Sequence, residues 1–126
     1  MVKNLSFLII TTIIMTSCTG NKIMSNNHQL YDIKEVVTDP NTTLIDVRIK
    51  EEFELNTVKG AINIPLKDLE KNLDLLKEKK NIVVFCNRGR QSDLAIDVLK
   101  KNGLNNVYDG TTWQNVRAIQ QEQTKK

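Results

Sequence analysis

The sequence predicts an α/β sandwich around a largely parallel sheet, and three observations lead there. Ile82-Val83-Val84-Phe85 is an uninterrupted apolar run, rich in β-branched residues, of the kind that suits a parallel strand covered on both faces. Shorter apolar runs recur at Leu44 to Val47, Ile62 to Ile64 and Val107-Tyr108. The stretches between them carry helical spacing, and strands alternating with helices define this class.

The first residues stand apart from that pattern. Lys3 is a positive start, Leu5 to Met15 is mostly apolar, and small residues lead to Cys18, so residues 1–17 read as a secretion signal. An apolar stretch of 11 residues, broken by Ser6, Thr11 and Thr12, is too short to cross a bilayer, which takes about 20. Met15-Thr16-Ser17-Cys18 resembles the lipobox of bacterial lipoproteins, with Met15 where leucine is usual. That resemblance implies lipidation of Cys18 and a chain held to a membrane of the bacterial cell envelope by a lipid anchor, facing the periplasm. The plainer alternative is a secreted soluble protein. Residues 18–29 are polar and read as a tether; they contain His28, the single histidine of the chain, which is expected to be exposed and without function. Residues 30–126 then form one domain, expected to be monomeric.

Within that domain Ile33, Val36 and Val37 fall at i, i+3 and i+4 and predict a short helix ended by Asp39-Pro40. Leu44 to Val47 is a buried strand with Asp46 near its end. Lys50 to Leu55 is a charged helical turn, and Gly60 leads into a short alternating strand over 62–64, closed by Pro65. Leu66, Leu69, Leu73 and Leu76 make one apolar stripe and predict a surface helix, the Lys and Glu residues of 67–80 forming its wet face. After the central strand, Ser92 opens and caps a helix with Leu94, Ala95, Val98 and Leu99 on one face, stopped by Gly103. Thr111 or Thr112 caps a last helix carrying Trp113, Val116 and Ile119.

Charge and composition exclude several functions. The net charge is +3 with both signs interspersed, so nothing argues for nucleic acid. There are 2 cysteines; if Cys18 is acylated, Cys86 has no partner in the chain and a disulfide framework is excluded by counting. No cluster of His, Cys and Asp has metal-ligand spacing, and no metal or organic cofactor is expected.

Cys86 is the candidate nucleophile. It ends the central strand, where ligands of open α/β sheets bind beyond the carboxyl ends of the strands. The loop Cys86-Asn87-Arg88-Gly89-Arg90-Gln91 is short, has a glycine for a turn, and feeds a helix, so several amides are expected to converge on the sulfur. Magnitudes decide how much help a thiol needs. A free thiol of pKa about 8.5 is only about 3% thiolate at pH 7, and two units of activation cost about 2.7 kcal/mol. A helix dipole supplies about 0.3 to 1 kcal/mol, so amides and the guanidinium groups of Arg88 and Arg90 must supply the rest. With His28 in the tether, a cysteine/histidine dyad is not expected.

LIDVRIKEEFELNTVKGAINIPL, followed by VVFCNRGRQSDLAIDVLKKNGLNNVYDGTTW, resembles the rhodanese domain, and most closely the small periplasmic thiosulfate sulfurtransferases of the phage-shock type. The specific parts are Asp46-Val47-Arg48, the segment from Gly60 to Pro65, and the loop from Cys86 to Ser92. The resemblance implies a three-layer sandwich and a two-step transfer of sulfane sulfur. Cys86 would take sulfur from thiosulfate or a similar donor as a persulfide and pass it to a thiol or, in the laboratory, to cyanide. Asn87, Arg88, Gly89, Arg90 and Gln91 would bind the donor and the persulfide; Asp46, Arg48 and Ser92 would support the loop. Two positions depart from the pattern, Thr57 where histidine is usual and Thr111 where a second glycine is common, and both are expected to affect packing near the loop more than the sulfur step.

Blander readings compete. Cys86 could be an ordinary buried thiol, Arg88 and Arg90 solvated charges, and Trp113 plain core. A sulfur sealed under apolar neighbours would defeat the catalytic reading. A cysteine phosphatase or arsenate reductase also cradles an oxyanion, but its Cys-x5-Arg pattern meets Ser92 here in place of the arginine. A non-catalytic sulfur-binding or carrier domain is the other alternative.

Overall fold

The computed structural model describes residues 31–126; the signal segment, Cys18, the tether and His28 lie outside the described residues. The chain forms α1 (Ile33–Thr38), β1 (Thr42–Asp46), α2 (Lys50–Leu55), β2 (Ile62–Asn63), two 3₁₀ turns (Leu66–Asp68 and Glu70–Asn72), α3 (Leu73–Lys77), β3 (Asn81–Cys86), α4 (Arg90–Lys101), β4 (Val107–Thr112) and α5 (Trp113–Gln123). The four strands are all parallel, in the order β2-β1-β3-β4, so the most apolar strand is interior.

Strand alternation divides the core into two layers. Ile82, Val84 and Cys86 of β3 join Ile45 and Val47 on one face and meet Leu69, Leu76, Ala95 and Leu99. Val83 and Phe85 join Leu44 on the other and meet Val37, Val116 and Ile119. Cys86 therefore belongs to the α4 side of the sheet, the last side chain of an apolar row.

Local chemistry sets the ends of the elements. The Asp32 carboxylate accepts the Lys34 N–H at 2.9 Å and caps α1, and Asp39, before Pro40, is extended, which ends it. Thr112 caps α5 by accepting the Asn115 N–H at 3.1 Å. Gly110, buried in β4, is required by close approach: a Cβ there would lie 2.8 Å from Val116 Cγ2 and 2.9 Å from Val83 Cγ1.

Four expectations are corrected. The leucine stripe over 66–76 is not one helix but two 3₁₀ turns and a five-residue α3, because side chains three apart already eclipse in 3₁₀ geometry, so its i, i+3 steps need no α-helix. β2 is two residues long, Ile62–Asn63, although the Ile64 N–H still donates to the Asp46 carbonyl at 3.1 Å. β4 runs on to Thr112, past an irregularity that opposes Phe85 to Thr111. Leu94 is 47% exposed and does not share the buried face of α4, which Ala95 and Leu99 fill.

Candidate active site

β3 delivers Cys86 to the carboxyl edge of the sheet, and the chain then turns through Gly89 at φ 88°, a left-handed conformation that favours glycine. That turn swings the Gly89 N–H back, and it donates to Cys86 Sγ at 3.0 Å. On its other side the sulfur donates to the Thr111 carbonyl at 3.6 Å. The expected convergence of several amides is thus reduced to one amide on Sγ. α4 begins at Arg90, so the next N–H groups belong to its first turn, where they have no intrahelical acceptors.

Ser92 does not cap α4. It is fully buried within the first turn, and its hydroxyl donates to the Gly89 carbonyl at 2.7 Å and approaches the Thr111 carbonyl at 3.4 Å. Ser92 therefore ties the turn that carries the sulfur to the end of β4. Thr111 holds φ 61°, the single positive φ outside glycine among the described residues, and its N–H donates to the Asp109 carboxylate at 2.7 Å. The carbonyl beside the sulfur is thus fixed by its own turn.

Cys86 is buried, 1% exposed, at the end of the apolar row. It forms part of the wall of a cavity of about 270 Å³ whose other lining residues are Asn87, Arg88, Arg90, Gln91 and Glu52. Asn87, Arg88, Arg90 and Gln91 are exposed, and neither arginine makes an ion pair among the described residues. Glu52, on α2, had no signal in the sequence beyond a run of charges.

The end of β1 holds the other buried charges. Asp46 is 0% exposed and Arg48 3%. Arg48 Nη2 donates to Asp46 Oδ2 at 2.6 Å, Arg48 Nε to Oδ1 at 3.0 Å, and the Thr57 hydroxyl to Oδ2 at 2.9 Å. Arg48 Nη2 also reaches the Asn56 carbonyl, and its guanidinium lies 5.5 Å from the Trp113 ring centroid. Asn63 donates to the Asp46 and Arg48 carbonyls at 3.0 and 2.8 Å. Neither Asp46 nor Arg48 lines the cavity. Thr57 is the partner of the Asp46 carboxylate, while Thr111, the other departure noted in the sequence, touches the sulfur itself.

A parallel sheet whose interior strand ends in a cysteine, under a glycine turn into a helix, defines a class, and the comparisons agree. The family model of the Rhodanese-like domain matches residues 29–110, and the chain belongs to that family. Thiosulfate sulfurtransferase PspE of Escherichia coli (strain K12) is 42% identical over 65 residues, which cover 50% of this chain and 62% of that protein. YrkF of Bacillus subtilis (strain 168) is 35% identical over 76 residues, 60% of this chain and 41% of that protein. The chain thus spans less than two thirds of either relative. Among solved structures, a rhodanese with anions from E. coli is 36% identical with a TM-score of 0.54, covering 59% of this chain and 89% of that one.

Proposed function

We propose that the protein is a thiosulfate sulfurtransferase that works through a persulfide on Cys86. The observation that carries this reading is the setting of the cysteine: Cys86 Sγ accepts the Gly89 amide at 3.0 Å, and Cys86 lines a cavity together with Arg88 and Arg90. In the first step Cys86 gives its proton to solvent. The thiolate then attacks the outer sulfur of thiosulfate, a new S–S bond forms, and the old S–S bond breaks with its electron pair leaving on sulfite. In the second step a thiolate acceptor attacks the outer sulfur of the persulfide and the electron pair returns to Cys86.

Arg88, Arg90 and the amides of α4 each have a task in that sequence. The two guanidinium groups offset the dianionic donor and the departing sulfite. The amides at the start of α4 receive the outer, negatively charged sulfur of the persulfide, which extends past the sulfur that Gly89 already holds. The lipid anchor at Cys18 would place this chemistry at a membrane of the cell envelope.

Sulfite release tests the proposal. Purified protein mixed with excess thiosulfate and no acceptor should release about one sulfite per chain in a single burst, since one cysteine takes one sulfur. Continuous release needs an added thiol or cyanide. No burst, or an equal burst from Cys86→Ser, overturns the proposal.

A further inference from the structure

Glu52 is the one acidic side chain on the wall of the Cys86 cavity, opposite in sign to Arg88 and Arg90. It stands in the first turn of α2 and is half-buried, and among the described residues it makes no ion pair. A carboxylate in that place works against a dianionic donor, so the sulfur-loading step gives it no use. The cavity is therefore dipolar rather than simply cationic. Its volume of about 270 Å³, a little below the roughly 300–1,000 Å³ of sites for drug-sized ligands, is enough for a small thiol.

We infer that Glu52 selects the sulfur acceptor, favouring small thiols that carry an ammonium group beside a carboxylate. The inference rests on the sulfurtransferase reading and concerns its second step. An amino-acid thiol would set its ammonium against Glu52 and its carboxylate against Arg88 or Arg90, with its sulfur toward the persulfide. Its thiolate attacks the outer sulfur of the Cys86 persulfide; the bond to Sγ breaks, Sγ keeps the electron pair, and the acceptor leaves as a persulfide. No oxidant is consumed. The acceptor thiol gives its proton to solvent before it attacks, so Glu52 is assigned no proton transfer.

The test uses two acceptors that differ by the amine, cysteine and 3-mercaptopropionate. The purified full-length chain is loaded with thiosulfate, freed of sulfite and donor, and mixed with each thiol in turn. The cysteine-to-mercaptopropionate rate ratio should fall about tenfold in Glu52→Gln, as expected for the loss of one charged contact in a partly desolvated site. Intrinsic differences between the thiols cancel in that comparison. Thiosulfate loading should quicken two- to threefold in the same variant, because an anion near a dianionic donor is gone. Glu52→Lys, which reverses the charge, should prefer 3-mercaptopropionate. An unaltered acceptor ratio in both variants, with normal loading, overturns the inference alone. Absence of loading in the wild type, seen before any thiol is added, overturns the underlying reading and this one with it.

Discussion

The ends of β1 and β3 lie side by side in the sheet, and each carries charge, but they dispose of it in opposite ways. At β1, Asp46 and Arg48 are buried, joined by a bond of 2.6 Å, and further held by Thr57, Asn56 and Trp113. At β3, Arg88 and Arg90 are exposed on the wall of the cavity, with no ion pair among the described residues. A buried pair whose members satisfy each other has little left for a ligand. Charges held at a cavity wall without an ion pair remain available to one. Under the proposed function, the end of β1 serves architecture and the end of β3 serves chemistry.

The largest effect should come from breaking the paired end. Asp46→Ala strands a buried guanidinium, and the expected loss is about 3–5 kcal/mol of stability in denaturant unfolding. A loss below about 1 kcal/mol would place the Arg48 charge in contact with water and erase the contrast. Next is Gly110→Ala, whose added methyl meets Val116 and Val83 between β4 and α5 and should cost about 1–3 kcal/mol by overpacking.

Arg90→Ala sharpens the comparison from the other side. Its stability should stay within about 0.5 kcal/mol of the wild type, as for an ordinary surface change. The second-order rate of loading by thiosulfate should fall about tenfold, and less at high salt, where screening weakens the lost attraction. An Arg90→Ala protein that unfolds easily but loads normally would invert the assignment.

The smallest effect concerns a surface pair, Lys34 with Glu122 at 2.8 Å, which ties α1 to α5. The Lys34 hydrogen bond and charge hold the Glu122 carboxyl below its ordinary value of 4.5. A depressed carboxyl contributes stability that is present above its unfolded value and is lost as pH falls through the folded one. A slight fall in stability below about pH 4.5 should therefore diminish in Glu122→Gln, read from thermal unfolding across acid pH.

Much of this was legible in the residues. The run from Ile82 to Phe85 announced an interior strand because only a strand covered on both faces tolerates such continuity, and the cysteine after it had to sit at the carboxyl edge. Less legible was anything that depends on three-dimensional neighbours. Ser92 looked like a cap by type, but the glycine turn starts α4 two residues earlier and draws the hydroxyl inside. Leu94 fitted an apolar stripe that the breadth of the buried face did not include. Glu52 lines the same cavity as Cys86 because β1 and β3 are adjacent, and no spacing along the chain encodes that. The contact of Thr111 with the sulfur likewise depends on where β4 ends.

The most direct test of the central claim is the mass of the intact protein after incubation with thiosulfate and removal of the excess. The wild type should gain one sulfur atom, lose it on addition of a thiol, and Cys86→Ser should gain none. A wild-type mass that thiosulfate leaves unchanged, or an added sulfur that survives in Cys86→Ser, would contradict the assignment of the chemistry to the end of β3.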